Sequence, residues 1–498
     1  MDPFDGPLIV LFNAHQAPAR TVALALLLTK GGKVFCVVPS MQLSGLHETM
    51  AAIDANGGRA AAHEADVSRR SAVLCGMDEA RRWGGRQVDY VVVADRGDRA
   101  REEVDDDVMA LDVAEMEREM DWGLLPHVWA TQAAARECVH APRQTPLFFF
   151  HAMTAPGLGR IGPLVDSTHS AIHELTQARR TYNHLPVSPG RPLFAFSLTL
   201  PAPEPPPHSL TPLLDALMST STPPPFPPGS NLEVDPSGRP NELPRFREVT
   251  SGAMHPRSPP RERVVQSRTM ASLPSLPGLV CVVSDASSDV GQAIAVALAK
   301  KRVQMVVCGG RESAEIVRGI EDEGGSAAPY EGTIDGAFTF AETHYGHCVD
   351  VYINTNGGRR DQRADGLDDA REVWRAEVIG AVRGCQMAIR HFQAAKPPKT
   401  SACWVLNLTS RRCVASHLTT AALHTLTRWL AHSTGACAVR RHHPLLDVRV
   451  VAIDTSGAHP KGVGDFVVSL LSGQGSAWES GSVIRLDCNG SPQNVAPD

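Results

Sequence analysis

Apolar residues along this chain gather in short continuous runs, separated by longer stretches in which they recur every three or four positions. Short runs bounded by turn residues read as strands buried on both faces, and the longer periodic stretches read as helices. Pro7 to Phe12 is the first strand, Thr21 to Thr29 an apolar helix closed by Gly31-Gly32, and Lys33 to Val38 the second strand. A polar helix starts near Gly45, and Gly57-Gly58-Arg59-Ala60 leads into a short strand ending at Asp66-Val67. Asp89 to Ala94, Pro146 to His151 and Pro192 to Leu200 are further strands. Met116 to Cys138 is a long helix, Asp166 to Arg180 another, and Leu210 to Met218 a short one. Strands alternating with helices through short connections predict a parallel sheet covered on both faces.

The pattern breaks at Pro201 and resumes at about Leu276. Between them stand Pro205-Pro206-Pro207, Pro223-Pro224-Pro225, Pro227-Pro228 and Pro259-Pro260. Proline at this density supplies few ladder or helix donors, so the stretch reads as an extended linker or a docking segment for a partner. Afterwards the element order recurs. Leu279 to Val283 is a strand, Ser284 to Gly291 a tight loop, and Gln292 to Lys300 the start of a helix. Gly324-Gly325 repeats Gly57-Gly58, and Thr333 stands where Asp66 stood, so the chain reads as an internal tandem. The expected fold is α/β: two doubly wound, Rossmann-like parallel-sheet domains, residues 1–219 and 276–498, joined by a Pro-rich linker, residues 220–275.

Composition narrows the possibilities. At 498 residues the chain has room for two or three cores. A net charge of −6 offers no basic face for nucleic acid, and none is expected as a partner. The eleven cysteines are scattered without C-x-x-C pairs, which favours a reducing, intracellular compartment over a disulfide framework or a zinc site. No apolar run approaches membrane-spanning length, and the acidic start, Met1-Asp2-Pro3-Phe4-Asp5, carries no visible signal or transit peptide.

The order of elements, with Ala65-Asp66-Val67 and Thr131-Gln132-Ala133-Ala134, resembles the short-chain dehydrogenase/reductase family over the first half. The second half, roughly residues 278 to 491, resembles it more sharply. Ser284 to Gly291 is similar to the family's T-G-x-x-x-G-x-G loop, and Ile353-Asn354-Thr355-Asn356-Gly357-Gly358 to its N-N-A-G strand end. Trp404 to Ser410 looks like the strand presenting the catalytic serine, Ala421 to Arg428 like the helix after the catalytic lysine, and Gly481 to Asp487 like the last strand.

The resemblance also assigns the functional positions, and at these the chain departs from the family. In the second half only Gly291 of the loop glycines is kept, while Ser284, Asp285 and Asp289 stand beside it. The family's tyrosine and lysine fall on Ser416 and Thr420, its helix asparagine on Glu377, and its serine on Ser410. Only six positions separate Ser410 from Ser416, about half the family's gap. The family's Pro-Gly after the sixth strand falls on Thr455-Ser456. In the first half the three loop glycines fall on Ala14, Pro18 and Arg20, the N-N-A-G near Val93-Ala94-Asp95-Arg96, and the tyrosine–lysine pair on Val165 and His169. Two carboxylates near a pyrophosphate repel it by about 1 kcal/mol each even with water-like screening, and by several times that at an effective dielectric near 20. Binding of NAD(P) is therefore disfavoured in both halves, and no cofactor is expected.

Other groupings have plain structural alternatives. His169 and His173 lie four apart, a metal-compatible spacing, but no third ligand is visible, and a solvated or capping pair is the plainer reading. His442-His443-Pro444 reads as a loop, and Arg411-Arg412 and Arg440-Arg441 as solvated basic pairs. Ser410 and Ser416 read as remnant polar lining, and Asp285 and Asp289 as caps for the following helix.

These losses point to a catalytically inactive tandem reductase-like protein, a pseudoenzyme serving as a structural or accessory subunit of a larger assembly. Family members commonly pair through the long helices after the fourth and fifth strands, so the resemblance implies an intrachain pseudo-dimer of the two halves. Respiratory complex I, one of whose accessory subunits has a reductase-like fold, is the analogy for a mitochondrial setting. The alternatives are an NAD(P)-dependent oxidoreductase with a rearranged site, a cofactor-independent enzyme on the same fold, and a ligand-sensing module.

Overall fold

The computed structural model describes residues 6–39, 42–95, 108–140, 146–155, 162–182, 191–201, 204–219, 226–242, 276–308, 312–355, 369–394, 402–411, 414–440, 448–474, 478 and 480–493. The chain divides into two compact units. One comprises Met1–Asp105, Ala114–Val249 and Leu367–Arg371; the other comprises Asp106–Val113, Thr250–Gly366 and Glu372–Asp498.

Along the first half the elements are β1 (Leu8–Phe12), α1 (Ala17–Lys30), β2 (Lys33–Val38), α2 (Leu43–Ala55), β3 (Arg59–Glu64), α3 (Arg70–Gly84) and β4 (Tyr90–Ala94). Then come α4 (Val113–Glu119), α5 (Leu125–His140), β5 (Leu147–Thr154), α6 (Pro163–Tyr182), β6 (Leu193–Leu200), α7 (Pro207–Leu217), β7 (Asn231–Val234) and β8 (Pro240–Glu242). The sheet order is β3-β2-β1-β4-β5-β6-β7-β8, the doubly wound order, parallel throughout except for the last pair. Every residue of β1 and β4 is buried, which is why these strands read as unbroken apolar runs. One face of the sheet belongs to a single apolar cluster that includes Ile9, Leu26, Phe148, Phe150, Leu214 and Leu232.

The second half repeats the arrangement with β9 (Val280–Val283), α8 (Asp289–Ala299), β10 (Gln304–Cys308), α9 (Ser313–Asp322), β11 (Ser326–Tyr330), α10 (Ile334–Tyr345) and β12 (Val351–Asn354). These are followed by α11 (Ala370–Trp374), α12 (Gly380–Ala394), β13 (Cys403–Thr409), α13 (Val414–Arg440), β14 (Val448–Asp454), α14 (Pro460–Ser469), β15 (Val483–Leu486) and β16 (Pro492–Gln493). The order is β11-β10-β9-β12-β13-β14-β15-β16, again parallel except for the last pair. α8 packs closely on α14, because a Cβ at Gly464 would stand only 2.7 Å from the carbonyl oxygen of Ala293. The expected fold class, two Rossmann-like parallel-sheet layers, is what forms. A π-turn interrupts each long helix, Met120–Leu124 between α4 and α5 and Arg375–Ile379 between α11 and α12.

Two expectations need correction. α3, with Val73, Met77 and Ala80 buried on one side, was not foreseen between Val67 and Asp89. The stretch assigned to the linker, residues 220–275, contains β7 and β8, which extend the first sheet. Leu232 is fully buried there and Val234 almost so, and burial of these side chains offsets the scarcity of donors that proline imposes. Pro240 takes a sheet-edge position, where no ladder N–H is needed. Residues 220–225 and 243–275, and His442-His443-Pro444, lie outside the described residues.

The hairpins closing the two sheets share one local design. The backbone N–H groups of Ser237 and Arg239 donate to Asp235 Oδ1 at 2.8 and 2.9 Å. Those of Asn489 and Ser491 donate to Asp487 Oδ1 at 2.9 and 2.8 Å. Gly238 and Gly490 hold the positive φ values that each tight turn requires.

Candidate functional site

Doubly wound sheets take ligands outside the carboxyl ends of their strands, which is where the loop between β9 and α8 lies. Several of its backbone donors are committed internally. The N–H of Asp285 donates to Thr355 Oγ1 at 3.1 Å, that of Ala286 to the Cys308 carbonyl at 3.1 Å, and that of Ser287 to Asp285 Oδ1 at 3.1 Å. The Ser287 hydroxyl also donates to Asp285 Oδ1, at 2.5 Å. Gly291 N–H donates to Ser288 Oγ at 3.0 Å, so Ser288, not either aspartate, is the side-chain cap of α8. Asp285 folds back into an Asx turn, while Asp289, in the first turn of α8, favours the helix dipole. Gly291 has a packing reason to be glycine: a Cβ would lie 2.9 Å from Ala286 Cα and closer still to the carbonyl oxygen of Asp285. Ser284 Oγ lies 3.2 Å from Asn354 Oδ1 and accepts from Thr355 N–H at 3.1 Å, tying the end of β9 to β12.

The equivalent loop of the first half is closed differently. Asn13 takes φ 55° and its side chain donates to the Ala94 carbonyl at 2.8 Å. Ala14 is fully buried; its N–H donates to the Val37 carbonyl at 3.4 Å, and its carbonyl accepts from Thr49 Oγ1 at 2.7 Å. Pro18 stands in the first turn of α1, where a missing N–H costs little, and Arg20 pairs with Glu48 at 3.0 Å. α2 lies against the loop, with Gly45 so near His15 that a Cβ would stand 3.0 Å from it.

At the positions carried over for catalysis in the second half, Ser410, Ser416 and Thr420 are all buried. Glu377 lies within the π-turn and accepts a short hydrogen bond from Thr419 Oγ1. Burial pushes its carboxyl up to about 7, and the bond from Thr419 limits the rise. Asn356-Gly357-Gly358 lies outside the described residues. The preceding Asn354 donates from Nδ2 to Asn407 Oδ1 at 3.3 Å, and Cys385 Sγ donates to the same oxygen at 3.2 Å. Burial pushes the Cys385 thiol up to about 12, so it packs rather than reacts.

In the first half, Val165 is half-buried and offers no chemistry. His169 is buried and His173 half-buried, so they are not a solvated pair, and they hold different partners. His169 Nε2 lies 2.9 Å from Asp95 Oδ2, and Asp95 also accepts from the Thr154 N–H at 3.1 Å. Burial acts to lower the His169 pKa, but the hydrogen bond and charge of Asp95, with Asp166 and Glu119, outweigh it and hold the imidazole above its usual range. His173 Nδ1 lies 2.9 Å from Ser197 Oγ, which donates to Asn231 Oδ1 at 2.6 Å. His127 and His151 stack, with their Nδ1 atoms 2.9 Å apart. A polar layer thus lies on the sheet face opposite the apolar cluster, since His151 and Ser197 alternate with Phe150 and Phe196. Among the described residues no group of three potential ligands is placed to hold a metal ion.

Sequence reading placed Asp95 only in a degenerate strand end and missed His127, His151 and Asp454 as site residues. Their signal was a polar residue inside or just after an otherwise apolar strand or helix. It also took Arg411 for a solvated residue, whereas its guanidinium lies 3.3 Å from the buried Asp454 carboxylate.

No protein-family model matches the chain. No curated protein matches it either. Among solved structures it is similar to a short-chain dehydrogenase from Mycobacterium avium, at 20% identity, TM-score 0.37, over 44% of this chain and 86% of that one. It is similar to a hydroxysteroid dehydrogenase from Escherichia coli, at 18% identity, TM-score 0.35, over 43% of this chain and 96% of that one. A third is a 3-oxoacyl-[acyl-carrier protein] reductase with bound NAD from Brucella melitensis, at 17% identity, TM-score 0.36, over 44% of this chain and 93% of that one.

Proposed function

We propose that the chain is a catalytically inactive tandem of two reductase-like domains, acting as a structural or accessory subunit of a larger assembly. The observation that carries this reading is the loop between β9 and α8. The N–H groups of Asp285, Ala286, Ser287 and Gly291 already donate within the protein, and the loop and first helical turn that would face a pyrophosphate carry the carboxylates of Asp285 and Asp289. In the first half, Pro18 and the Arg20–Glu48 pair occupy the corresponding ground. The matching strand orders and the matched Asp235 and Asp487 turns support the tandem. Pairing of the two halves through their long helices, a reducing intracellular setting and a mitochondrial assembly belong to the same proposal. No described helix is long and apolar enough to cross a membrane.

The test is titration of the purified full chain with NADH and NADPH, followed by fluorescence and calorimetry. No saturable binding is expected, and micromolar binding in either half would overturn the reading. Co-purification from the native source should then recover the chain with stoichiometric partners; a free monomer would refute the subunit role.

One observation favours a second reading, cofactor-independent acid–base chemistry. Glu377 titrates near neutrality, where a carboxyl can both take and give a proton. This reading predicts turnover of some substrate with an apparent pKa near 7 that Glu377→Gln abolishes.

A further inference from the structure

The carboxyl ends of β13, β14 and β15 carry a second constellation that the reductase resemblance does not assign. Asp454, the last residue of β14, is 1% exposed. Its Oδ1 accepts from the Ser456 N–H at 3.1 Å and from the Ser456 hydroxyl. Its Oδ2 faces two guanidinium groups, with Arg411 Nε and Arg485 Nε each at 3.3 Å. The same carboxylate thus accepts a hydrogen bond from Arg485 and stands within ion-pair distance of Arg411, two arginines from different strand ends. Both retain a face to solvent, the Arg411 side chain at 16% and that of Arg485 at 31% exposure. The charges acting on the adjacent buried His424 include the Asp454 carboxylate and the guanidinium groups of Arg411, Arg428 and Arg485. His424, 3.1 Å from Thr409 Oγ1, is itself held neutral by burial.

We infer that Arg411 and Arg485, held by Asp454, form a binding site for the oxyanion group of a small molecule, a carboxylate or a phosphate. A buried acid fixing two planar forks is a preorganised receptor, so less rotamer freedom is lost when an anion arrives. Position agrees with chemistry, because ligands of doubly wound sheets lie beyond the carboxyl ends of the strands. This inference does not depend on the accessory-subunit proposal and stands if that proposal fails.

The test titrates the full chain with inorganic phosphate and, separately, with citrate, at constant ionic strength set by chloride. Thermal midpoint and calorimetric binding are the readouts. A saturable rise in midpoint is expected with at least one of the two, and the stronger response identifies the oxyanion. Arg485→Gln and Arg411→Gln should each weaken binding about tenfold or more, and Arg485→Lys should recover only part of it. Arg318→Gln, which removes the same charge from an exposed helix position, should leave binding unchanged. Should Arg411→Gln fail to fold, Arg485→Gln alone decides. The inference is overturned if neither anion saturates beyond the chloride control, or if the response survives Arg485→Gln in a folded protein.

Discussion

Gly291 shows how one residue can carry two meanings. As a sequence feature it resembles the last glycine of a phosphate loop; in the structure it is the place where the first turn of α8 crosses the backbone of Asp285 and Ala286. Gly291→Ala should therefore destabilise the chain by about 1–3 kcal/mol, the usual range for overpacking, in urea unfolding and without any cofactor present. An unchanged midpoint would mean that the glycine is not held by packing. His169 makes the same point from the other side. The reductase resemblance would put a lysine at its position, yet its partner Asp95 was legible only as a misfit in a strand-end motif, because pairing across 74 positions leaves no local trace. Asp95→Ala strands a buried imidazole and should cost about 3–5 kcal/mol, whereas Asp95→Asn keeps an acceptor and should cost less. Equal costs would argue that the carboxylate charge, and not an acceptor alone, is what the imidazole requires; a cost-free Asp95→Asn would show that the charge is irrelevant there.

At the scale of elements, the central strands were readable because they are buried on both faces and so appear as continuous apolar runs. The edge was harder. β7 and β8 lie in proline-rich sequence, and proline density argued for a linker. The missed signal was the match of Leu232-Glu233-Val234-Asp235 and Gly238-Arg239-Pro240 to Ile484-Arg485-Leu486-Asp487 and Gly490-Ser491-Pro492. The π-turns at Met120–Leu124 and Arg375–Ile379 were not legible either, since a single inserted residue leaves no composition signal of its own. A linker leucine can be truncated without consequence, but a core leucine cannot. Leu232→Ala should lower stability by about 2–5 kcal/mol and raise amide exchange across β6 and β7. A neutral result would return the segment to the linker.

At the scale of the whole molecule, buried ionisable groups set how the chain responds to acid. Burial pushes the pKa of His127 down to about 3 and that of His173 to about 4, and pushes His424 down as well. Each is neutral when folded but takes a proton near pH 6.5 once unfolded. The unfolded chain therefore binds more protons below that pH, and stability falls as pH falls. Two groups act the other way. Glu377, raised to about 7, stays protonated in the folded state, so its contribution is present below its unfolded value near 4.5 and is lost as pH rises through 7. His169, also raised, contributes fully below about pH 6.5 and loses that contribution as pH rises through its folded value. Around pH 5.5 three histidines oppose essentially one carboxyl, because His169 is then protonated in both states. Among the described groups the net difference is about two protons, or roughly 2–3 kcal/mol of stability lost per pH unit. A domain has only about 5–15 kcal/mol to lose. The urea midpoint should consequently peak near neutrality and drop steeply between pH 6 and 4.5. His173→Gln, which keeps a polar partner for Ser197 and does not titrate, should flatten that drop by about one proton's worth of slope. A midpoint that is flat from pH 7 to 5, or an unchanged slope in the folded variant, would show that these imidazoles are not buried in neutral form.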